Sequence, residues 1–74
     1  KMIATGRVDM VVETTRFIYV LELKLSNNGG IDAASEQIRA KQYAEPFKAD
    51  KRKVVALAIE LDEKGKVLVD WKEV

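Results

Sequence analysis

The chain contains no cysteine and no histidine. Together these absences exclude disulfide frameworks, thiol nucleophiles, Cys/His zinc sites, Ser-His-Asp triads and histidine-based metal nucleases. Any chemistry must therefore run on carboxylates, lysines and hydroxyls. No apolar run approaches the roughly 20 residues that a membrane-spanning helix needs, so the sequence reads as one with no membrane partner. A marked excess of either charge is also missing. Thirteen Lys and Arg stand against twelve Asp and Glu, a formal net charge of +1, so binding to a polyanion would have to use a local basic face. There is no secretory n-region, h-region and cleavage site. The chain begins with Lys1 in place of an initiator methionine, and the expectation is a cytoplasmic piece of a longer protein.

What is present is a soluble globular composition, 47% apolar and 34% charged in 74 residues. This length allows one domain, which buries only about 60% of the surface its unfolded chain exposes. Arg7 to Glu13 alternates in the manner of a strand, with Val8, Met10 and Val12 on one parity and Asp9, Val11 and Glu13 on the other. Phe17 to Leu25, FIYVLELKL, reads as a central strand, and the short polar link between the two predicts an antiparallel hairpin. Asn27-Asn28-Gly29-Gly30 is a breaker. A helix is expected next, capped by Asp32, with Ala33, Gln37, Ala40, Ala44 and Phe47 on its buried stripe, widened by Ala34 and Ile38. Pro46 limits the regular helix to about Ala44. Lys53 to Leu61 reads as a buried strand parallel to the second, and Val67 to Lys72 as a last strand with one better buried face. The order is β-β-α-β-β, an α+β or α/β chain with one crossover helix.

Glu22 and Lys24 break the pattern by placing two charges on a strand that is otherwise apolar. Burying a charge is costly unless it is paired or binds a metal. In the expected hairpin register Asp9 joins them on one face. Two carboxylates beside a lysine suit a Mg²⁺ or Mn²⁺ site, with Asp9 and Glu22 as ligands, the Leu23 carbonyl as a third oxygen and Lys24 acting on the attacking water or on phosphate charge. The pair fits a solvent-facing salt bridge equally well. Gln37 interrupts the helix's apolar stripe, where an amide needs buried partners. The basic set Arg39, Lys41, Lys48, Lys51, Arg52 and Lys53 reads either as a solvated face or as phosphate contacts. Trp71, Phe17 and Tyr19 read as packing residues.

Gly6-Arg7-Val8-Asp9, twelve residues, Glu22-Leu23-Lys24, and then a helix carrying Gln37 and Tyr43 together resemble the PD-(D/E)xK nuclease superfamily. More narrowly, the chain is similar to the nuclease-type domain at the C-terminus of bacterial AAA-ATPase-like proteins, from Gly6 to about Trp71. The resemblance implies a restriction-endonuclease-like mixed sheet, with Asp9 and Glu22 as ligands for Mg²⁺ or Mn²⁺ and Lys24 as catalytic base. Gln37 and Tyr43 would support the site or the nucleic-acid backbone, with Arg39 and Lys41 as weaker contacts. Val8 stands where the superfamily's name has proline.

The superfamily core also begins with a helix and a strand that the few residues before Gly6 do not supply, so residues 1–74 are expected to be a single partial domain. Apolar surface on the Met10/Val12 or Tyr19/Leu21/Leu23 parity should then lie exposed, which predicts a homodimer or strand exchange of the isolated chain. The implied function is metal-dependent phosphodiester hydrolysis, with DNA as the expected substrate and an ATPase-like domain attached. The competing readings are a catalytically idle module of the same fold that binds nucleic acid or protein, and a small structural domain whose charges form a salt-bridge cluster.

Overall fold

The computed structural model describes residues 9–74 and the backbone of Met2 and Ile3. Five strands form one mixed sheet in sequential order: β1 (Met2–Ile3), β2 (Met10–Glu13), β3 (Phe17–Leu25), β4 (Lys53–Leu61) and β5 (Leu68–Glu73). Neighbours pair antiparallel except β3 and β4, which run parallel and are joined through α1 (Gly30–Ala40). The expected β-β-α-β-β order is present, with the two-residue β1 added on the outer edge of β2. Strands β3 and β4 have the bounds their apolar runs predict. Strand β2 is shorter than Arg7 to Glu13: Asp9 lies in a bend, and Arg7 and Val8 fall outside the described residues.

Helix α1 differs from expectation at both ends. It starts two residues before Asp32, so Asp32 stands in the first turn and caps nothing. Gly29 and Gly30 both take positive φ, +97° and +58°, a conformation that β-carbons disfavour. The cap comes instead from β4. Glu60 Oε1 accepts the Ile31 N–H at 3.0 Å while its Oε2 accepts the Ser26 hydroxyl. A β-carbon on Gly30 would meet that same carboxylate at 2.7 Å. At the other end the helix stops at Ala40, where Lys41 is extended and its N–H bonds to the Gln37 and Ile38 carbonyls.

The core lies between α1 and one face of the sheet. Ile18 and Val20 of β3, Ala56 and Ala58 of β4, Val11 of β2, and Ala34 and Ile38 of α1 are all buried, with Ile31, Tyr43, Phe47 and Val54 packed against them. The buried helix stripe is thus centred on Ala34 and Ile38; Ala33 and Gln37 flank it half-buried, and Ala40 and Ala44 are exposed. The other face carries Met10, Val12, Tyr19, Leu21, Leu23, Leu57 and Ile59, all half-buried. β5 is exposed along its whole length, and Trp71, expected to pack, is 59% exposed. The expected better-buried face of β5 does not form, because β5 is an edge strand that α1 barely reaches. Among the described residues no helix is long and apolar enough to cross a membrane.

Candidate functional site

Glu22 continues the parity of Ile18 and Val20 and therefore points toward α1. It is only 1% exposed, which makes it the most deeply buried charged side chain among the described residues. The register of β2 against β3, Met10 with Leu21 and Val11 with Val20, sets Asp9 across from Glu22 when extended by one pair. Asp9 completes that pairing with its side chain: Oδ2 accepts the Leu23 N–H at 2.8 Å. In a strand the N–H and C=O of one residue leave on the same side, so the Leu23 carbonyl also faces Asp9. Lys24 lies two residues beyond Glu22 on the same face, half-buried.

Helix α1 supplies the rest. The Gln37 amide bridges the two β3 charges, its nitrogen donating to Glu22 Oε1 at 3.2 Å and its oxygen accepting from Lys24 Nζ at 2.8 Å. Only this orientation of the amide satisfies both neighbours. The glutamine expected within the apolar stripe, and found at its flank, is thereby accounted for. Lys41, just past the helix end, reaches back and places Nζ 2.7 Å from Glu22 Oε1. Among the described residues no buried side-chain nitrogen or oxygen lacks a partner.

The electrostatics divide the two carboxyls. Burial raises the Glu22 carboxyl, and the hydrogen-bonded Asp9 carboxylate raises it further; Lys41 opposes both without reversing them. For Asp9 burial also acts upward. The hydrogen bonds from Glu22 and the Leu23 N–H, with the Lys41 and Lys24 charges, outweigh it and hold Asp9 below its ordinary value. The pair titrates as a unit, with Asp9 the ionised member and Glu22 the one that takes the proton first.

Asp9, Glu22, Leu23, Lys24 and Gln37 are brought together, as the hairpin and helix patterns lead one to expect. Tyr43 is half-buried and packs against the core, and Arg39 is exposed on the helix. The basic set is not one open face: Lys41 pairs with Glu22, Lys48 with Glu45 at 2.9 Å, and Arg52 with Asp50 and Glu13 at 2.7 Å each. Lys41, expected only as a weak nucleic-acid contact, is thus a member of the carboxylate cluster. Its signal in the sequence is its place four residues after Gln37, close enough to the end of the helix for a long side chain to reach back to the same strand.

A model of the PD-(D/E)XK nuclease superfamily matches residues 1–71. Comparison with curated proteins and with solved structures returns no match. The family match covers nearly the whole chain, and the chain belongs to the PD-(D/E)XK nuclease superfamily.

Proposed function

For a chain of this superfamily we propose metal-dependent hydrolysis of phosphodiester bonds, with DNA as substrate and Mg²⁺ or Mn²⁺ as the ion. Members of the superfamily typically use divalent metals. The donor set here suits such an ion. Among the described residues no group of three or more acidic side chains gathers, and Mg²⁺ is commonly held by one or two carboxylates with water and phosphate completing the shell. Asp9 and Glu22 would hold it, with the Leu23 carbonyl beside them. When bound, the ion supplies polarisation of the phosphoryl oxygen and activation of water. Lys24, fixed by the Gln37 oxygen, acts on the attacking water and offsets charge developing on the phosphate. Arg39, Lys51 and Lys53, exposed and without an ion pair among the described residues, are available to phosphates. We further propose attachment to an ATPase-like domain, a cytoplasmic location, and pairing of isolated chains through the half-exposed apolar sheet face. A monomeric mass by light scattering at high concentration would refute that pairing.

The observation that carries the reading is the Glu22–Gln37–Lys24 chain, in which a half-buried amide bonds a carboxylate on one side and a lysine on the other. Titration of the labelled chain with Mn²⁺ followed by amide NMR tests it. Selective broadening at Asp9, Glu22, Leu23 and Lys24 is expected, lost in Asp9→Ala, together with Mg²⁺-dependent cleavage of DNA that Lys24→Ala abolishes. A second reading, an idle module of the same fold, draws support from the pairing of Glu22 with Lys41, which balances the carboxylate without an ion. Uniform or absent broadening would favour that reading.

A further inference from the structure

Two lysines serve one cluster, and they are held in different ways. Lys24 sits within β3 and is tied through the Gln37 amide oxygen, a neutral group. Lys41 sits beyond the last residue of α1 on extended backbone, φ −95° and ψ 143°, and its ammonium rests directly on the carboxylate that the metal reading assigns as a ligand. Glu22 Oε1 therefore already carries two donors, Lys41 Nζ at 2.7 Å and the Gln37 amide nitrogen at 3.2 Å. An sp² oxygen has two lone pairs, so none is left for a cation on that atom.

Access leads to the same point. Glu22 is 1% exposed, while the Lys41 side chain is 35% exposed, so the lysine spans from solvent to the buried carboxylate. Its backbone N–H is held by the last turn of α1, but its ammonium is a point charge on a four-carbon stem that can swing from the carboxylate into solvent. A Mg²⁺ ion bonds carboxylate oxygens at about 2.0–2.1 Å, closer than the ammonium now stands, and two cations at such spacing repel strongly in a partly buried site.

We propose that Lys41 is a resident counter-ion which occupies Glu22 in the absence of metal and is displaced when a divalent cation binds, so that Lys41 sets the metal affinity of the site. The proposal rests on the metal-binding reading of Asp9 and Glu22. It makes Lys41 a positioning residue whose charge competes with the ion.

The test compares the 74-residue chain with Lys41→Met and Lys41→Arg, using Mn²⁺ alone, with affinity read by calorimetry and by water-proton relaxation. Lys41→Met should bind Mn²⁺ about tenfold or more tightly than the unaltered chain, and Lys41→Arg should show no such gain. Equal or weaker binding by a folded Lys41→Met overturns the proposal while leaving the metal site standing. Absence of Mn²⁺ binding in every form overturns both. A measurement on the unaltered chain covers the case in which Lys41→Met does not fold. The side-chain ammonium resonance of Lys41 should move toward that of a solvated lysine as Mg²⁺ is added, and a resonance unmoved at saturating Mg²⁺ overturns the proposal.

Discussion

The two faces of the sheet carry similar apolar side chains and have different fates. Under α1, Ile18, Val20, Ala56 and Ala58 are fully or nearly fully buried, and the polar residues placed among them, Glu22, Gln37 and Lys41, are held in a defined network. On the opposite face Tyr19, Leu21, Leu23, Leu57 and Ile59 remain half-buried and carry no charged cluster. In so small a chain, specificity comes from what covers the sheet face. Apolar pattern alone makes both faces of β3, and only the face with a helix over it has the rigid packing and low dielectric that fix polar atoms within hydrogen-bond distance.

The largest expected effect follows directly. Ile38→Ala, which opens a cavity beneath α1, should cost about 2–5 kcal/mol, whereas Leu21→Ala on the open face should cost about 1 kcal/mol, both read by urea unfolding. Trp71→Ser, at a side chain 59% exposed, should stay within about 0.5 kcal/mol. Comparable losses for Ile38→Ala and Leu21→Ala would mean that the open face is covered in solution, and would end the comparison in its present form.

The same contrast explains what could be read from the sequence. Strands β3 and β4 were legible to the residue, because long runs of branched and aromatic residues between breakers leave little choice of bounds. The pairing of Asp9 with Glu22 followed from parity and a short link, and Gln37 announced itself by interrupting an apolar stripe. The helix ends were not legible. The cap is Glu60, a carboxylate about thirty residues later on β4, and local capping rules, which pointed to Asp32, contain no information on an acceptor brought in by parallel pairing. The pairing of Lys41 with Glu22 was hidden for a related reason: a lysine in a basic segment reads as a solvated side chain or a phosphate contact, and only the fold reveals a buried carboxylate within its reach. The exposure of β5 was hidden because alternation marks a strand without stating whether anything packs on it.

A second, smaller effect sharpens the comparison at the helix start. Glu60→Ala removes the acceptor of the Ile31 N–H and of the Ser26 hydroxyl, loosening α1 over the covered face, and should cost about 1–2 kcal/mol. Glu60→Gln keeps an acceptor for Ile31 and should recover part of that. Amide exchange at Ile31 and Ala33 reads the local opening. If exchange there is unchanged in Glu60→Ala, the cap is not what starts the helix.

The smallest effect concerns a polar network on the surface, set against the buried one beneath α1. Arg52 ties the entry of β4 to the β2–β3 turn: its guanidinium donates to Asp50, to Glu13 and to the Thr14 carbonyl. The Arg52 side chain and backbone N–H hold the Asp50 carboxyl down at about 2. A carboxyl lowered in the folded state contributes stability that is complete above its unfolded value and is lost as pH falls through the folded one. Asp50→Asn should therefore be less stable than the unaltered chain near neutral pH, by a small margin because exposed pairs are screened, and the two should converge as pH falls toward about 2. Urea midpoints along an acid series measure the convergence, and carboxyl NMR locates the Asp50 midpoint. The Glu22 carboxyl should contribute in the opposite sense, since it is raised and its protonation favours the folded chain. An Asp50 midpoint at the ordinary carboxylate value would show that the Arg52 link is not held in solution. The contrast between surface and buried networks would then rest on Glu22 alone.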